Sequence, residues 1–360
     1  MARGFAAAGL EAAGAVLTAA VGTHVLPGAV AAVGTGRSVQ ARWVLGDAET
    51  GPGGSRGMTE DTLFDLASLT KVLVTLPAVL TLVDQGRLRL EDRIRRHVPG
   101  VAPAVTVAHA LTHTAGLAAT RDFTASVTTT AELDAAAAAE PLERPAGTRV
   151  EYSDLGFVLL GGLVEQVDGR PLDVVAEVLL APLGSGVAFR PPPALAYRTA
   201  ATEVLPTPVG GPRALVGRVH DENAAAAGGV SGHAGAFGTL ADVVAVVQAW
   251  SAGAGTGGGA LLPPQLLSPQ LRARAFRDAT VGLGGHRGLG WTARGDGHDI
   301  LEAGWGPAAV SHTGFTGTST ALDPLSGRWA VLLTNAVHFG RDRPGVQAAR
   351  RDFHAALTRV

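Results

Sequence analysis

The chain has 360 residues, 46% of them hydrophobic, with a formal charge of −2 at neutral pH. That length supplies core enough for one large domain or two ordinary ones without covalent staples. It has no cysteine, which excludes a disulfide framework, a thiolate zinc site and a thiol nucleophile, and its near-balanced charge forms no basic stripe for nucleic acid.

The first run, GFAAAGLEAAGAVLTAAVGTHVLPG, places Leu10, Ala13, Val16, Leu17 and Ala20 on one face of an Ala-rich helix. A secretory leader is the alternative. Against it, Arg3 is the only preceding basic residue, Glu11 interrupts the apolar run, and no clear small-x-small cleavage site follows. The expectation is therefore a helix and a cytoplasmic protein, with the cell envelope as the alternative. No other stretch reaches the ~20 uninterrupted apolar residues of a spanning helix, so no membrane span is expected.

Next, PGAVAAV and VQARWVLGDAE flank GTGRS and read as a β-hairpin. GPGGSRGM (51–58) reads as a loop. From Leu63 onward the pattern is helical, over 68–86, 105–111, 130–140, 155–168 and 171–181, with a kink or break at Pro77. Residues 190–235 are loop-rich, a helix follows at 239–251, and SAGAGTGGGALLPPQ (251–265) reads as a surface connection. Its GTGGGA lacks the G-K-[ST] of a phosphate loop. GTSTALD and RWAVLLTN flank PLSG as a second hairpin, and a last helix covers 346–358.

Strands at both ends and helices between them predict an α/β (α+β) fold: an antiparallel sheet built from both termini, flanked by terminal helices. A single domain over 1–360 is expected, with its α/β part at about 1–64 and 235–360 and its helical part at about 65–234.

Three segments carry chemistry. In FDLASLTKV, Ser68 and Lys71 lie three residues apart at a helix start and so share a face. A serine hydroxyl needs a base, and lysine serves as one only if burial or a helix dipole lowers its pKa. S-x-x-K alone fits an ordinary amphipathic helix with Lys71 snorkelling to water. In EYSDLGF, Tyr152, Ser153 and Asp154 precede an apolar helix, and in SHTGFTGTS, His312, Thr313 and Gly314 precede a hairpin.

Ser/Lys, then Tyr-x-Asn or here Tyr-x-Asp, then a Lys- or His-Thr-Gly triplet, in that order, resembles the family of penicillin-binding proteins, class C β-lactamases and related serine esterases. LVDQGRLRLEDRIRRHVPG, ALTHTAGL and RPAGTRVEYSDLGFVLLGGLVE extend the likeness across residues ~25 to 340. The resemblance implies Ser68 as acylated nucleophile, Lys71 as its proton acceptor and Tyr152 as the acid/base that protonates the leaving group. It implies His312 on the strand edge lining the site, and an oxyanion hole from the backbone N–H groups of Ser68 and Phe315. Thr313 and Gly314 would line the substrate, and Gly314 and Gly317 would let it approach the backbone. No cofactor and no metal are implied.

Two residues depart from the family pattern. Asp154 replaces the usual asparagine, which either holds Lys71 charged or orients it for proton relay. His312 replaces the usual lysine and can be neutral near pH 7, which suits ester, amide or peptide chemistry better than a β-lactam carboxylate. GRVHDENAAAAGGVSGHAGAFGTLADV looks like the subgroup that includes muramyl-peptide amidases and weak D-alanyl carboxypeptidases. Its His220, Asn223 and His233 are candidate substrate-binding residues. A loop stitched by Asp and Asn side chains, or a metal site from His220, Asp221 and His233, are the alternatives. His113, in LTHTAGL, reads as structural.

The expected function is a serine hydrolase acting through an acyl-enzyme on peptidoglycan-derived peptides, of carboxypeptidase or muramyl-peptide amidase type. The alternatives are a small-ester esterase or weak β-lactamase, and, from another class, a non-catalytic penicillin-binding sensor. The partner expected is a small molecule or muropeptide.

Overall fold

The computed structural model describes residues 4–51, 54–206, 211–251, 267–341 and 344–360. The first elements are α1 (Ala7–Gly22), β1 (Gly28–Thr35), β2 (Ser38–Gly51) and β3 (Gly54–Gly57). The expected β1–β2 hairpin forms and turns at Gly36, whose φ of +55° suits glycine. The expected loop at 51–58 instead contains β3, paired to the end of β2 from Asp47↔Gly57 to Gly51↔Gly54. GSRG carries no strand propensity of its own, and the free edge of the long β2 supplies the pairing.

β4 (Phe64–Asp65) leads into a 3₁₀ turn at Ala67–Leu69, a π-helical turn at Lys71–Thr75 and α2 (Leu76–Asp84). The irregularity expected at Pro77 therefore lies just ahead of it: Leu76 N–H donates to Lys71 O, five residues back, and Pro77 falls in the first turn of α2 where its missing N–H costs nothing. The 67–84 stretch has a mean hydropathy of 1.5, apolar and long enough to cross a membrane by length and composition, yet 78% of it is buried inside the fold.

Then come α3 (Val107–Leu111), α4 (Thr130–Ala139), α5 (Asp154–Asp168), α6 (Leu172–Leu180), β5 (Ala188–Phe189), β6 (Val204–Leu205), β7 (Arg213–Ala214), α7 (Glu222–Ala226), β8 (Ala236–Gly238) and α8 (Leu240–Ser251). The chain closes with α9 (Pro269–Phe276), β9 (Thr292–Ala293), β10 (Val310–Thr313), β11 (Ser319–Leu322), β12 (Arg328–Thr334) and α10 (Pro344–Ala356). The connection expected after Ser251 lies, at 252–265, outside the described residues.

The main sheet has seven strands in the order β3-β2-β1-β12-β11-β10-β9, all antiparallel. The two termini meet where β1 pairs with β12, from Ala29↔Thr334 to Thr35↔Arg328. Strand alternation sorts the side chains to two faces. Val30, Ala32, Val331 and Leu333 pack into the core shared with α2, α5 and α8. Ala29, Ala31, Val33, Ala330 and Leu332 pack against Ala13 and Leu17 of α1 and Phe353 of α10. A second, three-stranded sheet, β4-β8-β5, draws only β5 from within the stretch expected to be helical, and its β4 carries the chain into Ser68.

Candidate active site

The nucleophile segment is bent sharply. Ala67, buried immediately before Ser68, has φ +46°, a left-handed conformation that costs an alanine roughly 1–2 kcal/mol. Asp65 holds the bend: its carboxylate accepts from Ala67 N–H at 2.8 Å and from His220 N–H at 2.7 Å. Burial pushes the Asp65 carboxyl up to about 6 against those two bonds. Ser68 lies in the 3₁₀ turn and Lys71 opens the π-helical turn three residues on, which sets the two side chains on one face.

Lys71 is fully buried. Its ammonium donates to Ser68 Oγ at 2.9 Å, to Asp154 Oδ1 at 2.7 Å and to the carbonyl of His233 at 3.0 Å. Burial pushes its pKa down, but the Asp154 carboxylate and the Tyr152 hydroxyl outweigh burial and hold the lysine above its ordinary value. The 2.7 Å pair fits both roles open to Asp154: it holds Lys71 charged and places an acceptor for a relayed proton on it.

Tyr152 and Asp154 are fixed by the LTHTAGL turn. Ser153 N–H donates to His113 Nδ1 at 3.1 Å, Ser153 Oγ to Ala118 O at 2.6 Å, and Asp154 N–H to Ala119 O at 2.8 Å. The His113 ring lies against the Tyr152 ring, centroids 4.5 Å apart. Lys71 Nζ is 5.2 Å from the Tyr152 centroid on the same side chain's surface.

β10 forms the opposite wall. The His312 ring is buried 6.2 Å from the Tyr152 ring, with Nδ1 3.0 Å from Thr313 O and Nε2 unpartnered. Burial, then the nearby Lys71 charge, pushes its pKa well below the ordinary histidine value, so the ring is neutral at pH 7. Beyond Thr313 the chain turns, with Gly317 N–H on Gly314 O at 3.1 Å, and locks onto the nucleophile segment. Thr316 Oγ1 donates to Asp65 O at 2.8 Å and Thr318 Oγ1 to Leu66 O at 3.3 Å. A Cβ on Gly314 would stand 2.7 Å from Leu66 O, so only glycine permits this approach. Ser68, Tyr152, Asp154, His312, Gly314 and Phe315 line one cleft of about 380 Å³.

A family model described as Beta-lactamase matches residues 13–355. The chain belongs to the β-lactamase family. It is 32% identical over 312 residues to a protein of Escherichia coli (strain K12) named "Putative D-alanyl-D-alanine carboxypeptidase", covering 78% of this chain and 70% of that one. Solved structures share the fold at lower identity. One is "EstCE1, a hydrolase with promiscuous acyltransferase activity" (TM-score 0.72, 23% identity, 96% of this chain and 98% of that one). Another is simvastatin synthase from Aspergillus terreus (TM-score 0.73, 20% identity, 98% of each).

In this β-lactamase-family hydrolase the three candidates of the histidine-rich loop stand in different surroundings. His220 lines the cleft, stacked 5.5 Å from the Phe315 ring and 3.2 Å from Glu203 Oε2. The His233 ring is instead bound between Asp221 Oδ1 at 2.9 Å and Ser231 Oγ at 2.8 Å, and its contribution is the backbone carbonyl on Lys71. Asn223 is turned away by α7: its Oδ1 accepts from Phe123 N–H at 2.8 Å and its Nδ2 donates to Arg121 O at 2.6 Å. It braces α7 to the segment at 121–123. Among the described residues no group of three or more His, Asp or Glu stands close enough to hold a metal ion.

Two buried arginines of the cleft, unlike the half-exposed Arg341, lie deep in the fold with no motif to announce them. Arg287 is buried with its guanidinium carbon 5.5 Å from the Tyr152 centroid, donating to Thr292 Oγ1 and Asp296 Oδ1 at 2.8 Å each. Arg350, from α10, is buried behind the Gly314 turn. The composition did hold one signal. Of 29 lysine and arginine residues, Lys71 is the only lysine.

Proposed function

We propose that this chain is a serine hydrolase working through an acyl-enzyme on peptidoglycan-derived peptides, of carboxypeptidase or muramyl-peptide amidase type. The observation that carries the reading is the 2.9 Å contact of Ser68 Oγ with Lys71 Nζ in a cleft shared with Tyr152 and the Gly314 turn. Because Asp154 holds Lys71 charged, the lysine accepts the serine proton only as it passes one of its own to Asp154. Ser68 Oγ attacks the scissile carbonyl, and the oxyanion is received by the N–H groups of Ser68 and Phe315. Tyr152 delivers a proton to the leaving amine and recovers one from the water that enters the same cleft and attacks the acyl carbonyl. Asp154 returns its proton through Lys71 to the departing Ser68 Oγ.

The substrate class is supported by the name of the 32%-identical relative and by Arg287, a cation beside Tyr152 in a cleft where the neutral His312 offers none. The full chain should release free D-alanine from a stem peptide ending in D-Ala-D-Ala, or cleave a muropeptide amide. Inactivity on every muropeptide, with fast turnover of short-chain p-nitrophenyl esters, would replace this reading with the esterase. The esterase stands second because Asp296 neutralises Arg287 and the strand edge carries no charge.

A cytoplasmic location is part of the same proposal. α1 buries Ala13, Leu17 and Ala20 in the sheet–α10 core, so residues 7–22 belong to the working fold. Mass spectrometry of the protein isolated from cell fractions tests it: recovery outside the membrane with residues 7–22 removed would overturn it.

A further inference from the structure

Arg350 is 3% exposed and has no carboxylate partner among the described residues. Burial lowers its pKa to about 10; beside it lies His354, held neutral with a pKa near 3 by burial and by the Arg350 charge. A buried cation without a counter-ion is costly, and only a job for its fixed fork of donors accounts for it. The fork has two acceptors. Nε donates to Gly317 O at 3.0 Å, and Nη2 donates to Gly314 O. These are the first and last carbonyls of the four-residue turn closed by Gly317 N–H on Gly314 O.

The Gly314 carbonyl and the Phe315 N–H belong to one planar peptide unit and point in opposite directions. Pinning the carbonyl from behind therefore aims the N–H into the cleft. A cation on the oxygen also polarises the amide and makes its N–H a stronger donor. Besides Arg350, the turn's own Gly317 N–H bonds this carbonyl at 3.1 Å, while Thr316 and Thr318 hold the turn in place through the carbonyls of Asp65 and Leu66 and leave the peptide plane itself free.

We propose that Arg350 is a positioning residue that orients and polarises the Phe315 N–H of the oxyanion hole, acting from behind the turn without touching the oxyanion. This rests on the acyl-enzyme reading above. Arg350→Gln and Arg350→Lys in the full chain, with phenylboronic acid as the probe of a tetrahedral anion on Ser68, test it. Deleting a donor outright costs ~10²–10³ in kcat, so loosening one should cost roughly 10- to 100-fold in Arg350→Gln. The KM for a neutral p-nitrophenyl ester should stay within about twofold, boronate binding should weaken by the same factor as kcat, and Arg350→Lys should recover part of both. Should Arg350→Gln fail to fold, Arg350→Lys against the parent carries the same comparison.

Unchanged kcat and boronate affinity in a folded variant would overturn the proposal. So would a loss confined to KM, or to peptides bearing a free carboxylate, since that would make Arg350 a substrate ligand. If the parent itself shows no Ser68-dependent turnover, the acyl-enzyme reading fails, and the proposal with it. A parent that is active beside an unaffected variant fails the proposal alone.

Discussion

At the scale of the residue, the chain's single lysine sits where the proposed acyl-enzyme mechanism requires proton exchange. Arginine replaces lysine everywhere else, but a guanidinium does not give up its proton in a protein, so position 71 is the one that arginine could not take. The single lysine also gives a direct test of its charge, because ¹⁵N-labelled lysine yields one side-chain signal. In the parent that signal should remain an ammonium beyond the ordinary lysine pKa of about 10.4. In Asp154→Asn the carboxylate that opposes burial is gone, so Lys71 should lose its proton at lower pH than in the parent. An identical titration in both proteins would contradict the pairing account. Ser68, Lys71, Tyr152, Asp154 and His312 were legible in sequence as an ordered set of short motifs. Arg287 and Arg350 were not, because GGHRGLG and AARRDFHAAL look like any stretch with surface arginines. Their roles come from burial and from partners distant in sequence, Tyr152 for one and Gly314 for the other.

At the scale of the element, the site is a junction between a bent nucleophile segment and a turn at the end of β10. The tolerance of that junction is small. Gly314→Ala places a methyl against Leu66 O and Thr318 Oγ1, and the backbone carbonyl has no room to yield. The turn must withdraw, taking the Phe315 N–H with it. Activity should fall by roughly 10²-fold or more, in line with the loss of an oxyanion donor. Ester kinetics beside thermal unfolding check this, and a folded Gly314→Ala with parental kcat would show that the turn does not serve the reaction. Helix positions were readable from apolar spacing, as at α5 and α6. The π-helical turn at 71–75 was not, because the periodicity of a fully apolar run does not reveal a one-residue change of hydrogen-bond register. The short β3 was hidden for a related reason: its pairing is dictated by the neighbouring strand and not by its own residues.

At the scale of the molecule, the sheet joins both termini and divides two cores, with α1 and α10 on one side and the helical region with the cleft on the other. Stability carries a pH signature from the α4–α5 contact. Burial, with Glu165 nearby, pushes the Asp134 carboxyl up to about 8. The folded chain then binds a proton that the unfolded chain releases near the ordinary aspartate value of about 3.9, so stability falls as pH rises from there toward 8. Asp134→Asn removes that loss: its unfolding temperature should exceed the parent's at pH 9 and match it at pH 4. Equal differences at both pH values would contradict the assignment. The most direct measurement on the whole protein is intact mass over time after mixing with a p-nitrophenyl ester and, separately, a penicillin, for the parent and for Ser68→Ala. The account predicts an acyl adduct on the parent that forms and then clears with the ester, and none on Ser68→Ala. An adduct of equal yield on both proteins, or none on the parent with either reagent, would contradict a Ser68 acyl-enzyme.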